Sequence, residues 1–410
     1  MSGFNPGDII VAELKVGKYD FTTSFITFDI YESIYTPGIV ANITVLDVND
    51  YLGEQKLSGG EPVNISFQPP GGKMAEYKFV VNKVKNASSP PGQHSKSYVV
   101  EAVSEEVMNA KDKYVTKVYD NKMFSEMVQD VFKEFIKSKK KLEVEETKGM
   151  QKYNVPLQKP YHAIDMIRRR SVSSENKSAS YVFFENQDGF HFTTIEKLFK
   201  DKKIVKTLVQ DSATGRDFFS SKGGNIIALK APQQMDVAKS TSSGSIKSEF
   251  NTFNMFTLDY KKKKKDKPEN DTSKGAGVDA RLKNDYISKH QDEPGYVAVM
   301  PVSNEKKVGL GGKSNVPERT PEQRAYTDAL ASSVMKLSVF GDTAFKAGHM
   351  VTANIQKKAD TTKPQAADFN LSGDFLISAV RHMCQAPATR PRYICALECI
   401  KGKYEEDVNK

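Results

Sequence analysis

The sequence predicts a mainly β fold, in which two antiparallel β-barrel domains are joined by a mixed α+β domain. Three observations support this fold class. Short runs of alternating apolar residues, separated by glycine and proline turns, occur near both ends of the chain. Near residue 120 the apolar spacing changes to the period of a helix. The chain has 410 residues, which at roughly 150 residues per domain is enough for about three domains.

The composition is that of a globular protein. Hydrophobic residues make up 38% of the chain, charged residues 27% and aromatic residues 10%, which excludes a mainly disordered protein. No apolar run approaches the ~18–20 residues that a membrane-spanning helix needs, so we expect no membrane anchor. The three cysteines cannot form a disulfide framework, and the first residues lack the basic and apolar regions of a secretory signal. We therefore expect the protein to be made and folded in a reducing cytoplasm.

The first β-barrel is expected over residues 1–108. Residues 25–30 alternate between apolar and polar, a Thr-Pro-Gly break follows at 36–38, and residues 39–45 repeat the alternation. A Pro-Pro-Gly-Gly turn at 69–72 precedes two more alternating runs. Short strands with such turns between them are typical of a barrel or a sandwich.

The mixed α+β domain is expected over residues 109–215. Apolar residues recur every three to four positions from 123 to 136, which predicts an amphipathic helix. A second helix is predicted from Tyr161 to about Val172. An Asp-Gly pair at 188–189 lies between two aromatic runs and predicts a β-hairpin.

The second β-barrel is expected to form from residues 216–260 and 320–404. A lysine-rich, loose insertion at 261–319 interrupts it, and residues 405–410 form a C-terminal tail. Strands are predicted at 225–229, 246–260, 351–355, 375–380 and 393–400.

One helix is predicted within this second β unit. Thr320 precedes a proline and is followed three residues later by Gln323, and these are the capping signs of a helix start. The predicted helix would bury Tyr326, Leu330, Val334 and Leu337.

Two short motifs resemble ligand sites but lack essential residues. Gly312-Lys313-Ser314 matches the end of a phosphate-binding loop, yet Lys307 stands where that loop needs a glycine. Asp47-Val48-Asn49-Asp50 resembles the start of a calcium loop, but Tyr51 replaces the third ligand and Leu52 the glycine of the sharp turn. We interpret both motifs as structural loops.

The titratable residues indicate no catalytic, cofactor-binding or metal-binding site. The six histidines show no zinc spacing, and no nucleophile motif is present. Cys395 and Cys399 are predicted on one face of a strand, where buried thiols act as small hydrophobic residues. The glutamate pairs Glu105-Glu106 and Glu145-Glu146 are expected in polar, exposed surroundings. We therefore expect a protein that is not an enzyme and needs no cofactor.

Basic residues offer the one candidate contact site. The net charge is +9, and five lysines stand in a row at 261–265. On the end of a strand, Lys261, Lys263 and Lys265 would share one side and could contact an anion or an acidic partner. A solvated loop tip is the alternative interpretation. Residues 168–170 are three successive arginines on a predicted helix, and at least one is expected to pack its stem against the protein.

Several short sequence segments, taken in order along the chain, resemble one protein family. The N-terminal β unit carries Phe25–Asp29 and, after its Thr-Pro-Gly turn, Ala41–Asp47. The α+β region carries Lys159–Ile167 and the hairpin Phe183–Phe192, and the second β unit is completed after the helix beginning at Pro321. This order resembles the central baseplate hub proteins of T-even-type contractile-tailed bacteriophages. It is also similar to the hub-like base of secretion-system spike proteins. The lysine-rich insertion departs from the family pattern.

The resemblance implies a structural role. Hub proteins of this family are homotrimers with two tube-like barrels per chain, so three chains form a pseudo-sixfold ring. The ring joins the tail tube protein to the threefold central spike protein and contacts neighbouring baseplate proteins, while DNA only passes through the lumen. The implied location is the virion tail baseplate, assembled in the host cytoplasm. A nucleic-acid or anion-binding protein that uses the lysine-rich insertion is the alternative function.

Overall fold

The computed structural model describes most of the chain, in thirteen segments. They are residues 7–52, 57–88, 95–176, 178–210, 226–231, 238, 242, 248–254, 258–265, 296–302, 334–355, 371–386 and 392–401. The helix start predicted at 320–323, together with Tyr326 and Leu330, lies outside these residues. So does the Gly312-Lys313-Ser314 motif.

The described elements are mostly strands, which confirms the mainly β fold class. The N-terminal strands are β1 Ile10–Val16, β2 Tyr19–Asp20, β3 Phe25–Ser33, β4 Val40–Asp47, β5 Pro62–Gln68, β6 Ala75–Ser88 and β7 Lys96–Ser104. The later strands are β13 Ile204–Val209, β14 Ile226–Lys230, β15 Ser248–Asn254, β16 Tyr260–Lys265, β17 Tyr296–Val302, β18 Val334–Phe340, β19 Met350–Asn354, β20 Gly373–Gln385 and β21 Arg392–Ile400.

The α+β region between these two groups of strands contains all the named helices. Its elements are α1 Glu105–Asn109, β8 Val115–Lys122, α2 Phe124–Val131, β9 Leu142–Val144, β10 Gln151–Gln158, α3 Pro160–Arg168, β11 Tyr181–Asn186, β12 Gly189–Thr194 and α4 Ile195–Asp201. No helix among the described residues is long and apolar enough to cross a bilayer.

Strands from the two ends of the chain form one 13-stranded sheet. The strands follow the order β14-β18-β21-β20-β3-β4-β7-β6-β5-β1-β2, with β19 beside β20 and β13 beside β19. The junction is the antiparallel pair β20–β3, in which Arg381 lies opposite Tyr31. The sheet curls into an antiparallel half-barrel. The two predicted β units therefore share one sheet within the described residues, while the predicted domain limits stay predictions.

The curled sheet encloses a core to which both chain ends contribute. Phe28 and Phe67 come from the N-terminal strands and Tyr393 from β21, and all three are fully buried. The rings of Phe67 and Tyr393 meet edge to face, with their centroids 5.4 Å apart. Such aromatic contacts add to the free energy gained by removing large rings from water.

The α+β region has a separate core. The predicted amphipathic helix forms as α2 and continues as a short π-helical turn, Phe132–Ile136. It ends at Lys137, whose φ of 55° lies in the left-handed region. The predicted hairpin forms as β11–β12, with Asn186 opposite Gly189 at its turn. The second predicted helix forms as α3 but ends at Arg168, earlier than expected.

One element differs from its prediction. Val334 and Leu337 were expected to be buried on a helix, but they belong to strand β18. The reason is that Met335, Leu337 and Val339 alternate with half-buried or exposed residues and point into the sheet core. This period of two outweighs the helical spacing of Val334 and Leu337, because the strand buries three side chains against β21 and β14.

Candidate assembly surfaces

The lysine run lies on a strand and not in a loose segment. Strand β16 pairs antiparallel with β15, and Lys261, Lys263 and Lys265 stand opposite Thr252, Phe250 and Ser248. These three alternate positions lie on one face of the strand. Strand β17 lies parallel to the other side of β15, so β16 is an edge strand among the described residues.

A row of lysines on an edge strand has a structural use of its own. Unpaired backbone groups at a sheet edge recruit further strands, and charged residues, especially lysines, oppose such pairing. Lys261 and Lys262 are both exposed. Their position at the edge therefore suits protection of the three-stranded sheet as well as contact with an anion, and the anion contact stays a prediction.

A groove of about 800 Å³ lies on the face of the large sheet that is turned away from its core. Its floor is a register row that crosses five strands: Ala228, Ser338, Ala396, Arg381 and Tyr31. Ala228, Ser338 and Ala396 have small side chains, so the surface is lower there than at the larger residues around them.

Charged side chains border this groove in fixed pairs. The Arg381 guanidinium lies 5.3 Å from the centroid of the Tyr31 ring and 3.0 Å from the carboxylate of Asp29. Lys336 lies 3.4 Å from the carboxylate of Glu398. The groove therefore has small and apolar side chains on its floor and paired charges at its border.

Buried carboxylates fix the α+β region to the large sheet. Glu185 on β11 accepts hydrogen bonds from the Lys140 ammonium at 2.5 Å and from the Ile39 amide at 3.3 Å. Lys140 also donates to Glu106 at 2.9 Å. Burial raises the pKa of Glu185, and the charge of Lys140 opposes that shift.

Glu32 is a second buried carboxylate, held within the large sheet and the loop before β19. It lies on β3 and accepts a hydrogen bond from the Tyr77 hydroxyl at 3.1 Å and from the Ala347 amide at 3.2 Å. Burial raises its pKa to about 7, against which these two hydrogen bonds act. Near neutral pH the carboxyl group is therefore divided between its two protonation states.

Asp188 joins the hairpin turn to the loop that precedes β19. Its carboxylate lies 2.5 Å from the Lys346 ammonium, 3.3 Å from the His349 imidazole and 3.5 Å from the Lys203 ammonium. The hydrogen bond to His349 and the charge of Lys346 hold the pKa of Asp188 well below its usual range. The sequence marks Asp188 only as a turn residue, because its cationic partner Lys346 is more than 150 residues away in the chain.

One glutamate of each predicted exposed pair is buried, so that prediction was wrong. Glu106 is bonded by Ser138 and Lys140. Glu145 accepts hydrogen bonds from Ser173, Thr193 and the backbone amide of Thr194. These donors are distant in sequence and satisfy the carboxylates, which is why the burial is tolerated.

Arg168, Arg170 and His191 have contacts within the α+β region. Arg168 donates to Asp165 and to the carbonyl of Tyr181, and Arg170 lies 5.1 Å from the Tyr153 ring. The His191 ring stacks on Phe184, and burial lowers the pKa of His191.

The three cysteines are free, buried thiols, and Cys395 Sγ lies 3.3 Å from Nδ1 of His382. Burial raises the pKa of the Cys395 thiol to about 12, so the thiol stays protonated. Among the described residues, no group of three possible metal-ligating side chains comes together.

The chain resembles tail proteins in its fold. The sequence matches no described protein family and no curated protein. A tail protein from Neisseria meningitidis superposes with a TM-score of 0.60 at 9% identity, covering 97% of this chain and 98% of that one. A 43 kDa prophage tail protein from Shewanella oneidensis gives a TM-score of 0.56 at 11% identity, over 96% and 98% of the two chains.

A lower structural similarity is found to a component of a secretion system. An Escherichia coli component of the type VI secretion system gives a TM-score of 0.46 at 11% identity, covering 97% of this chain and 79% of that one. The conclusion on fold rests on the two tail proteins alone. The described chain shares their architecture almost from end to end, which confirms the fold resemblance to tail proteins that the sequence indicated.

Proposed function

We propose that the protein is a structural, non-enzymatic subunit of a contractile-tail baseplate hub. The observation that carries the proposal is the likeness to two tail proteins over 96–97% of this chain and 98% of theirs. Since fold and function are separate questions, a second observation is needed. It is the groove on the large sheet, which is open to solvent and is bordered by the ion pairs Lys336–Glu398 and Arg381–Asp29. Interfaces between proteins combine apolar contacts with polar borders in a similar way.

In this proposal three copies form a pseudo-sixfold ring. The ring joins the tail tube protein to the threefold central spike protein and contacts neighbouring baseplate proteins, while DNA only passes through the lumen. Within the described residues the large sheet runs from β14 to β2 without closing on itself. An open half-barrel leaves edges that strands of adjacent copies can extend, and such pairing satisfies the free backbone N–H and C=O groups of the edge.

The ring is tested by the mass of the purified chain in solution, alone and with its tube and spike proteins. We expect a trimer, or a trimer on addition of the partners, and a ring in negative-stain images. A chain that stays monomeric at micromolar concentration with both partners present would contradict the proposal. The proposed location is the virion tail, assembled in the host cytoplasm. A capsid gene beside the tail genes would distinguish a phage from a bacterial injection machine.

A nucleic-acid or anion-binding function is the second candidate, favoured by the lysines on β16. Its test compares two variants that lose the same charge from opposite faces of one strand, namely Lys261→Gln with Lys263→Gln, and Lys262→Gln with Lys264→Gln. A specific contact predicts that the first pair loses DNA affinity and reduces the salt slope by about 2, while the second changes less. Equal losses, or no DNA binding by the parent protein, would leave the lysines as edge protection.

A further inference from the structure

The two-stranded sheet β8–β10 presents an apolar face to solvent. Its inner face carries Val115, Tyr119 and Val155, which are buried in the core of the α+β region. On its outer face Val118 is 67% exposed and Leu157 is 66% exposed. An alternating strand normally places polar residues on its outer face, so these two aliphatic side chains depart from the pattern.

The register brings the exposed apolar residues together. Val118 lies opposite Asn154, and an irregularity follows in which Pro156 and Leu157 share the space opposite Thr116. Residues diagonally across a strand pair are about 7–8 Å apart, so Val118 lies diagonally across from the irregular pair Pro156 and Leu157. Tyr114, 53% exposed, extends the apolar surface at the same end. We call Tyr114, Val118, Pro156 and Leu157 the ribbon patch.

Lysines are frequent in the two segments that carry the ribbon patch. Residues 111–122 and 148–159 contain seven lysines and two aspartates. Lys117 and Lys122 are neutralised by Glu134 and Asp130, at 2.6 and 2.7 Å. Lys152 lies 3.7 Å from Asp120.

Two lysines beside Tyr114 have neutral partners. Lys159 lies 3.6 Å from the centre of the Tyr114 ring and donates to the carbonyl of Lys111. Lys111 in turn donates to the Asn82 side chain at 3.1 Å. Neither contact cancels a positive charge, so the net charge around the ribbon patch is positive.

We propose that the ribbon patch is a docking surface for a protein partner that presents aliphatic side chains bordered by carboxylates. The apolar centre with a charged rim has the layout of a protein interface. The positive rim selects a partner of opposite charge. A second copy docking through the same patch would bring the two sets of lysines against each other, which charge repulsion opposes. The docking surface does not depend on the chain's being a hub.

The test uses the full chain and defined probes. The first probe is a fluorescent ten-residue peptide of alternating leucine and glutamate, compared with a leucine–lysine peptide of the same length. We expect the acidic peptide to bind at least about tenfold more tightly, with an affinity that falls as salt is added. Replacing Val118→Ser together with Leu157→Ser should reduce this binding at least about tenfold. Both side chains are mostly exposed, so the double variant should keep the parent's melting temperature.

Met74→Ser is the matched control, because Met74 is also exposed, at 48%, but lies before β6 in the large sheet. It should bind the acidic peptide like the parent. Equal binding of the two peptides, or binding that survives the double variant, would overturn the proposal. So would binding to vesicles of phosphatidylcholine and phosphatidylglycerol that is lost in the double variant, since that outcome assigns the patch to a membrane. Self-association lost in that variant would assign it to a second copy.

Discussion

At the scale of single residues, Glu32 makes stability depend on pH. Its pKa is raised in the folded protein, so the stability linked to this group is fully present below about pH 4.5 and is lost as pH rises through about 7. Glu32→Gln removes the charge and keeps an acceptor for the Ala347 amide. We expect the variant to be more stable than the parent at pH 8, by at most about 3.4 kcal/mol, and no more stable at pH 4. Urea unfolding at the two pH values measures this.

Glu101 is the control of opposite sign. The Lys85 ammonium beside it lowers the pKa of Glu101 to about 2. Its contribution is therefore present above about pH 4.5 and is lost as pH falls through 2. Glu101→Gln should be less stable than the parent at pH 8. A Glu32→Gln protein that loses stability at pH 8 as well would contradict the assignment.

Gly348 is required for a close approach between the loop before β19 and the hairpin. Its φ is +86°, and a Cβ atom would lie 2.8 Å from Cζ of Phe184. Gly71 has a similar φ of +76° but open space around it. Gly71→Ala should therefore cost only the backbone strain, about 1–2 kcal/mol. Gly348→Ala should cost about 1–3 kcal/mol more. Equal losses in urea unfolding would show that the contact with Phe184 is not limiting.

Residue patterns in the sequence predict packing better than they predict polar partners. The placement of Cys395 and Cys399 on one buried strand face follows from local alternation, and the structure confirms it. The burial of Glu145 does not, because its donors lie 28–49 residues further along the chain. A single sequence contains no signal for such a pairing, so it does not predict which carboxylates are buried.

At the scale of elements, the competition between helical and strand-like spacing of apolar residues decides which secondary structure forms. The hairpin β11–β12 and helix α2 have one dominant period each, and both form as predicted. The segment Val334–Phe340 fits a helix at two positions and a strand at three. Pairing with β21 along its whole length makes it a strand, and that neighbour is more than 50 residues away. For the lysine run the sequence allows a strand end or a loop tip, and pairing with β15 makes it a strand.

At the scale of the whole molecule, the shared core predicts how fragments behave. The α+β region has its own apolar core, whereas the core of the large sheet needs both chain ends. We expect a fragment of residues 105–201 to keep its helix and strand signals in far-ultraviolet circular dichroism. A fragment of residues 1–108 should be unfolded or aggregated, because Phe28 and Phe67 lose their cover. Cooperative melting of the 1–108 fragment would show instead that the first β unit is an independent barrel.

The pairing of β3 with β20 also determines when the large sheet can form during synthesis of the chain. Asp29 and its partner Arg381 are 352 residues apart in the chain. At about 5–20 residues per second, the ribosome needs roughly 20–70 s to deliver the second strand after the first. During that interval the edge of β3 has no partner, and a prematurely terminated chain never supplies one. Completion of the large sheet therefore depends on translation reaching β20, and a chain that stops earlier cannot form it.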